Sequence, residues 1–323
     1  MKRKFLTTAV TAILAATTLG ACGTNYKVTF MDFWKKSVAD NVIHTVTEVS
    51  EYDFSFQNGT NNSYSVAYQN GSYKTTFVSE TKDQKIIYHY TTEFSIQVQY
   101  TVGGETSEWL QDSVVSTVSF QSSNFALKPI RSEKHAINHS PMSISPSSLQ
   151  TAFTKFDKTI ITEYDKDCEN GTTTITDNML TADNVTTETF EISHGTYNYL
   201  DNEQLAFALR CIDTGATTST KFKIFDPFDN DTHKINVNFN KEATAEFNFA
   251  IGGETATRSL AYYPASVQLS ASMNKGFPYT YWIAKPTDSK NNVYRNVLLR
   301  HEIPLYYNLG TLVFELKSVS FAQ

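Results

Sequence analysis

The stretch "FSIQVQYTVGG", Phe94 to Gly104, decides how the chain folds. Phe94, Ile96, Val98, Tyr100 and Val102 alternate with polar residues and stop at Gly103-Gly104. A period of two puts every apolar side chain on one face of a pleated strand, and a glycine pair suits the turn that ends it. The pattern recurs upstream in Tyr52, Phe54 and Phe56, in Tyr64, Val66 and Tyr68, in Tyr73, Thr75 and Phe77, and in Ile86, Tyr88 and Tyr90. Asn70-Gly71 and Asn170-Gly171 are dipeptides that hairpins favour, so each is expected to reverse the chain.

Downstream, "TIITEYD", "TETFEIS", "STKFKIFDP", "HKINVNFN", "AEFNFAIGG", "SVQLSASM", "YTYWIAK" and "GTLVFELKSVSF" continue the series. "YTVGGET" (100–106) and "FAIGGET" (249–255) place Gly-Gly-Glu-Thr after an apolar strand twice, which one shared hairpin type explains. "NYLDNEQLAFALRCI" differs in kind. Leu200, Leu205, Leu209 and Ile212 follow a helical face, with Asp201 or Asn202 as cap, predicting a helix near 201–212. "SSLQTAFTKFD" predicts one more short turn of helix, capped by Ser147 or Ser148. The fold class is therefore mainly β: a curved antiparallel sheet or open β-barrel with one or two short helices. The expected organisation is an N-terminal β region over 22–127, a Pro/Ser-rich connection over 128–148 and a C-terminal β region over 149–323.

Residues 1–21 are set apart. Lys2, Arg3 and Lys4 precede an uncharged run, Phe5 to Thr18, too short to span a bilayer as a helix. Leu19-Gly20-Ala21-Cys22 closes it and resembles the bacterial lipoprotein signal. That resemblance implies removal of the leader and a diacylglyceryl group with acyl chains on the Cys22 thiol. The chain is then expected on the extracytoplasmic side of a cell membrane, held by its lipid. Gly23, Thr24 and Asn25 leave only a short tether.

From Tyr197 onward, "YNYLDNEQLAFALRCI", "STKFKIFDP" and "TYWIAKPTDSKNNVYRNVLLRHEIPLYYNLGTLVFELKSV" occur in an order that resembles an exported β-sheet family of bacterial envelope proteins of unknown function. The resemblance rests on Phe225-Asp226 and the step from Arg300 to Pro304. It implies a curved antiparallel sheet around a helix, and no activity.

Composition narrows the partners. The chain carries 27 basic and 33 acidic residues, net −6, and loss of Lys2, Arg3 and Lys4 with the leader would leave −9. Nucleic acid and anionic lipid surfaces both need a basic footprint, so neither fits. An envelope protein or an amphiphilic ligand does.

Few residues point to chemistry. Asp213-Thr214-Gly215-Ala216 resembles an aspartic-protease loop, but that chemistry needs a second carboxylate, and the chain has no second Asp-Thr-Gly. A surface hydrolase using Asp213 is the alternative reading, and a structural subunit of an envelope assembly is a third. Asp226, Asp229 and Asp231 could supply oxygen ligands to calcium, although the EF-hand spacing fails. His135 and His139 stand four apart where Asn138, Ser140 and Pro141 exclude a long helix. His44, His89, His194, His233 and His301 are scattered. Export would permit a Cys168–Cys211 disulfide, two free thiols being the other reading. Tyr262, Tyr263, Tyr279, Tyr281, Trp282, Tyr306 and Tyr307 are core aromatics or the wall of a groove for an acyl chain, glycan or peptide. Taken together, no catalytic residue, metal or cofactor beyond the Cys22 lipid is expected, and non-catalytic binding or scaffolding at the envelope is.

Overall fold

The computed structural model describes residues 30, 47–83, 85–123, 126–192, 198–214, 217–227, 231–269, 278–285 and 296–322. The alternating segments become strands β1 (Thr47–Asn58), β2 (Tyr64–Lys82), β3 (Lys85–Val102), β4 (Glu105–Thr106), β5 (Leu110–Ser123), β6 (Ala126–Pro141), β7 (Phe153–Tyr164), β8 (Asn170–Asp177) and β9 (Val185–Glu191). β10 (Asn198–Asp201) leads through a 3-10 turn at Asn202–Gln204 into helix α1 (Leu205–Arg210). β11 (Ser219–Asp226), β12 (Asp231–Phe239), β13 (Ala243–Ile251), β14 (Glu254–Leu269), β15 (Tyr279–Ala284), β16 (Leu298–Pro304) and β17 (Gly310–Ala322) follow.

All seventeen strands join one sheet. Five of them close on themselves. β13, β14, β15, β16 and β17 pair antiparallel in turn, and Ala250 and Ile251 of β13 return to Ser318 and Val319 of β17 in parallel. From this barrel a long wing runs from β17 to β1, β2, β3, β5, β6, β7, β8 and β9. A short wing runs from β14 to β12, β11 and β10. β10 and β11 are parallel, which requires a crossover, and helix α1 lies within it.

The wings meet through side chains. Phe190 of β9 stacks on Phe225 of β11 at 3.8 Å, and Ser132 of β6 and Tyr164 of β7 both donate to the Asp201 carboxylate. Helix α1 is wrapped by the curve. Asp201 caps the 3-10 turn that leads into it, accepting from Glu203 N at 2.9 Å. Phe207 then stacks on Phe77 at 4.6 Å, with Phe120 and Tyr90 at 5.2 and 5.4 Å. A side chain so enclosed contributes about 1.5–3 kcal/mol by leaving water, so a six-residue helix persists here through packing.

The glycine pairs behave as expected. Gly103 and Gly104 have φ of 59° and 90°, Gly252 and Gly253 have 58° and 92°, and each pair joins its strands in a two-residue hairpin. The short turn after Ser148 is a 3-10 turn at Leu149–Thr151.

Three expectations are corrected. Asn70-Gly71 does not reverse the chain: β2 runs straight through it, opposite β3, with a bulge between Gln69 and Ser72. Asn70 takes φ of 51°, and Gly71 is required because a Cβ there would stand 2.3 Å from Phe54 Cγ. Asn170-Gly171 likewise begins β8 after a turn centred on Asp165, whose carboxylate accepts from Asp167 N and Glu169 N. The 128–148 connection is strand as far as Pro141, because β5 and β7 flank β6 along its length and supply its hydrogen bonds. The two β regions thus share one sheet, and β17 pairs with β1 from end to end.

Candidate binding chamber

Strand β15 places Tyr279, Tyr281 and Ile283 on one face and Trp282 on the other. Trp282 stacks on Tyr262 at 4.7 Å, with Phe247 edge-on and the Arg300 guanidinium 4.6 Å above its ring. Those aromatics are packing. Tyr281 looks the other way, in register with His301 of β16, which pairs with Phe314 of β17.

His301 lies against Tyr281 at 4.3 Å with rings nearly parallel, Tyr73 at 5.9 Å and Tyr279 edge-on at 6.5 Å. It is 7 % exposed, and neither ring nitrogen has a hydrogen-bond partner. Burial pulls its pKa down to about 3, so the ring is neutral at physiological pH and holds one unused donor and one unused acceptor. Burial also lifts the Tyr281 phenol, and Tyr279, Tyr90 and Glu203 stand close enough to lift it further. Gln204, the residue after Glu203, is fully buried with both amide atoms unpaired.

Tyr279 is the exposed end of this aromatic row. It keeps 41 % of its surface exposed, yet burial still raises its pKa, with Tyr306 adding to the rise and Lys134 of β6 opposing it. Near Tyr279, Lys134 Nζ reaches Glu203 Oε1 at 2.8 Å. Burial works against both charges, and their pairing outweighs it, holding the lysine pKa above and the glutamate pKa below the ordinary value. The arrangement is a buried aromatic cluster with a neutral imidazole set into it and one ion pair nearby.

The residues singled out by sequence are mostly apart from this wall. Asp213 is exposed just after helix α1, where its carbonyl accepts from Thr217 N at 2.9 Å. Asp226 and Asp231 face each other where β11 and β12 pair, and Asp229 and Cys22 lie outside the described residues. Among the described residues no three His, Cys, Asp or Glu side chains are grouped to hold a metal. His135 pairs with Asp157 and His139 with Asp112, so the two histidines serve different partners. Cys168 and Cys211 are not bridged. Each is a buried thiol donating to a carbonyl, Cys168 to Pro129 at 3.2 Å and Cys211 to Phe207 at 3.3 Å.

Sequence reasoning missed three buried polar groups. The Asp112 carboxylate accepts from both His139 Nδ1, at 2.6 Å, and His139 N. Burial raises its pKa, against the pull of that histidine. Asp201 is likewise raised by burial, with Tyr164 and Ser132 opposing. Arg210 and Glu48 form the third. The sequence marked Asp201 only as a cap, and no local pattern signals its burial or the other two groups, because the partners come from distant strands. His301 was visible only as one of several scattered histidines.

A class follows from this: a β-barrel-like protein with an aromatic interior. No known protein family matches the chain, and no curated protein does. Among solved structures it is similar to a β-barrel-like protein of a domain of unknown function, DUF1849, from Brucella abortus. That likeness covers 87 % of this chain and 100 % of the other at 8 % identity, with a TM-score of 0.46.

Proposed function

We propose that this is a non-catalytic binding protein of the bacterial cell envelope, tethered through a lipid on Cys22, that holds an amphiphile against the Tyr73–Tyr281–His301 wall. One observation carries the reading: His301 and Gln204 are buried with donors and acceptors unused. Each orphaned group costs about 1–3 kcal/mol. A ligand hydroxyl or amide supplies both complements, while its hydrocarbon part suits the tyrosine faces. The absence of a basic footprint favours a neutral or zwitterionic ligand over an anionic one.

The test is native mass spectrometry of the full chain purified from a bacterial membrane, with uptake of a fluorescent monoacylglycerol added from detergent micelles. A co-purifying acyl amphiphile is expected, with at least tenfold weaker uptake in Tyr281→Ala. No bound amphiphile and no uptake would defeat the reading. The tether has its own test. Cys22→Ala should abolish metabolic labelling with palmitate and retention in the membrane fraction.

A further inference from the structure

Of the ten large apolar side chains left exposed among the described residues, five lie in three connections, two of which are tied together. Met142 and Ile144 lie between β6 and β7, Tyr306 and Tyr307 between β16 and β17, and Trp109 just before β5. Ile144 is 63 % exposed. They are not loose tips. Tyr307 Oη donates to Met142 O, Asn61 Nδ2 donates to both Ile144 O and Tyr307 O, and Tyr64 Oη donates to Ser143 O. Beneath them Tyr64, Tyr100, Ala152 and Leu309 form a cluster of their own, with Leu110 and Phe153 packed against it. Tyr307 and Asn308 both hold positive φ, 58° and 57°, a backbone that costs a bulky residue of order 1–3 kcal/mol. The backbone strain falls on exposed Tyr307, and its neighbour Tyr306 stands close to Tyr279.

We propose that this rim docks into a fluid zwitterionic bilayer, the surface from which the chamber is loaded; the loading rests on the amphiphile reading above, the docking on the rim's own geometry. The chain outside the described residues points to the same membrane. Phe30 is buried and stacks on Phe222 at 5.9 Å. Phe222 pairs with Ile235, Ile235 with Leu269, and Leu269 stands two residues beyond Val267, the partner of Tyr279. At about 4.8 Å per strand and 3.3 Å per residue, Phe30 lies roughly 20 Å from Tyr279. Cys22 is eight residues earlier, a reach of up to about 28 Å. That reach exceeds the distance, so the segment is long enough for an acyl chain on Cys22 to enter the bilayer beside the rim. Aromatic and aliphatic tips with polar handles suit that boundary. A chain of net −6 with uncharged rim residues docks by apolar insertion and not by charge.

The experiment uses the full chain with Ile144→Cys labelled by bimane, and Glu188→Cys on β9 as control. Both are mixed with phosphatidylcholine vesicles carrying brominated acyl chains. Quenching at 144 should exceed that at 188 at least fivefold and should not change between 50 and 500 mM salt. Equal quenching at the two positions, or none, overturns the docking, whether or not the chain proves lipidated. Ile144→Asp should slow monoacylglycerol transfer from vesicles at least tenfold while leaving uptake from micelles unchanged. Uptake lost from micelles as well in the unmodified chain defeats the chamber and leaves the quenching result to judge the rim. Equal transfer rates from vesicles overturn the rim.

Discussion

Arg210 and Glu48 meet through two parallel hydrogen bonds, Nη1 to Oε1 at 2.8 Å and Nη2 to Oε2 at 2.9 Å, with both side chains almost wholly buried. The pair ties the last residue of helix α1 to the second residue of β1. Arg210 Nε donates to Asn296 O, and Asn296 Nδ2 returns a bond to Arg210 O, so the guanidinium is held from both sides. Burial disfavours the charge, but Glu48 more than compensates and keeps the arginine pKa above its ordinary value.

Removing one partner strands the other in the core. Glu48→Ala should destabilise the protein by about 3–5 kcal/mol. Glu48→Leu combined with Arg210→Met should recover most of that loss, because no charge is left unpaired. Urea unfolding of the single and double variants measures both. Equal losses in single and double variants would show that the pair stabilises by more than mutual compensation.

His301 makes stability depend on acidity. Its unfolded form takes up a proton near 6.5, while the folded ring resists until about 3. Between those values the unfolded state binds more protons, so folding stability falls as pH falls, by up to about 1.4 kcal/mol per unit. Above 6.5 the effect vanishes. His301→Phe keeps the stacking on Tyr281 and removes the titration. Melting temperatures from pH 7 to 4 should fall less steeply in this variant, which should also bind the amphiphile more weakly at pH 7.

The two cysteines within the fold should react only when the chain unfolds. Burial lifts the Cys168 thiol to about 11 and leaves little thiolate to attack a reagent. Alkylation mapped by mass spectrometry should show Cys168 and Cys211 unmodified in the folded protein and both modified in urea without reductant. Protection that persists in urea until reductant is added would mean a disulfide.

The glycines separate crowding from backbone strain. Gly71→Ala places a methyl into the Phe54 ring and should cost about 1–3 kcal/mol, partly restored by Phe54→Leu. At Gly104 there is open space, and only the φ of 90° resists a side chain. Gly104→Ala should cost about 1 kcal/mol, with no second-site rescue. Thermal melts of the three variants decide between them.

Much of the β architecture was legible because a strand writes its geometry locally. Phe94 to Val102 alternate in sequence and in the structure, where Ile96, Val98 and Tyr100 are buried to within 1 %. Turn identity was less legible. Asn-Gly can bend a chain or bulge a strand, and at Asn70-Gly71 the long partner β3 chose the bulge. The serines and prolines of 128–148 suggested a connection, yet a strand flanked on both sides takes its conformation from its neighbours.

Alternation, the glycine pairs, the helical spacing around Leu205 and the charge balance are properties of neighbouring residues, and the sequence carried them to a curved β fold with one helix. Which strands meet is another matter. Closure of β13 on β17, the stacking of Phe190 on Phe225 and the meeting of Glu48 with Arg210 join residues far apart in the chain. No local period encodes such contacts, because they depend on the sheet's cumulative twist and on which apolar faces remain to be covered. The chamber belongs to this second kind. His301 became distinctive only when folding surrounded it with tyrosines and left its two nitrogens with nothing to bond.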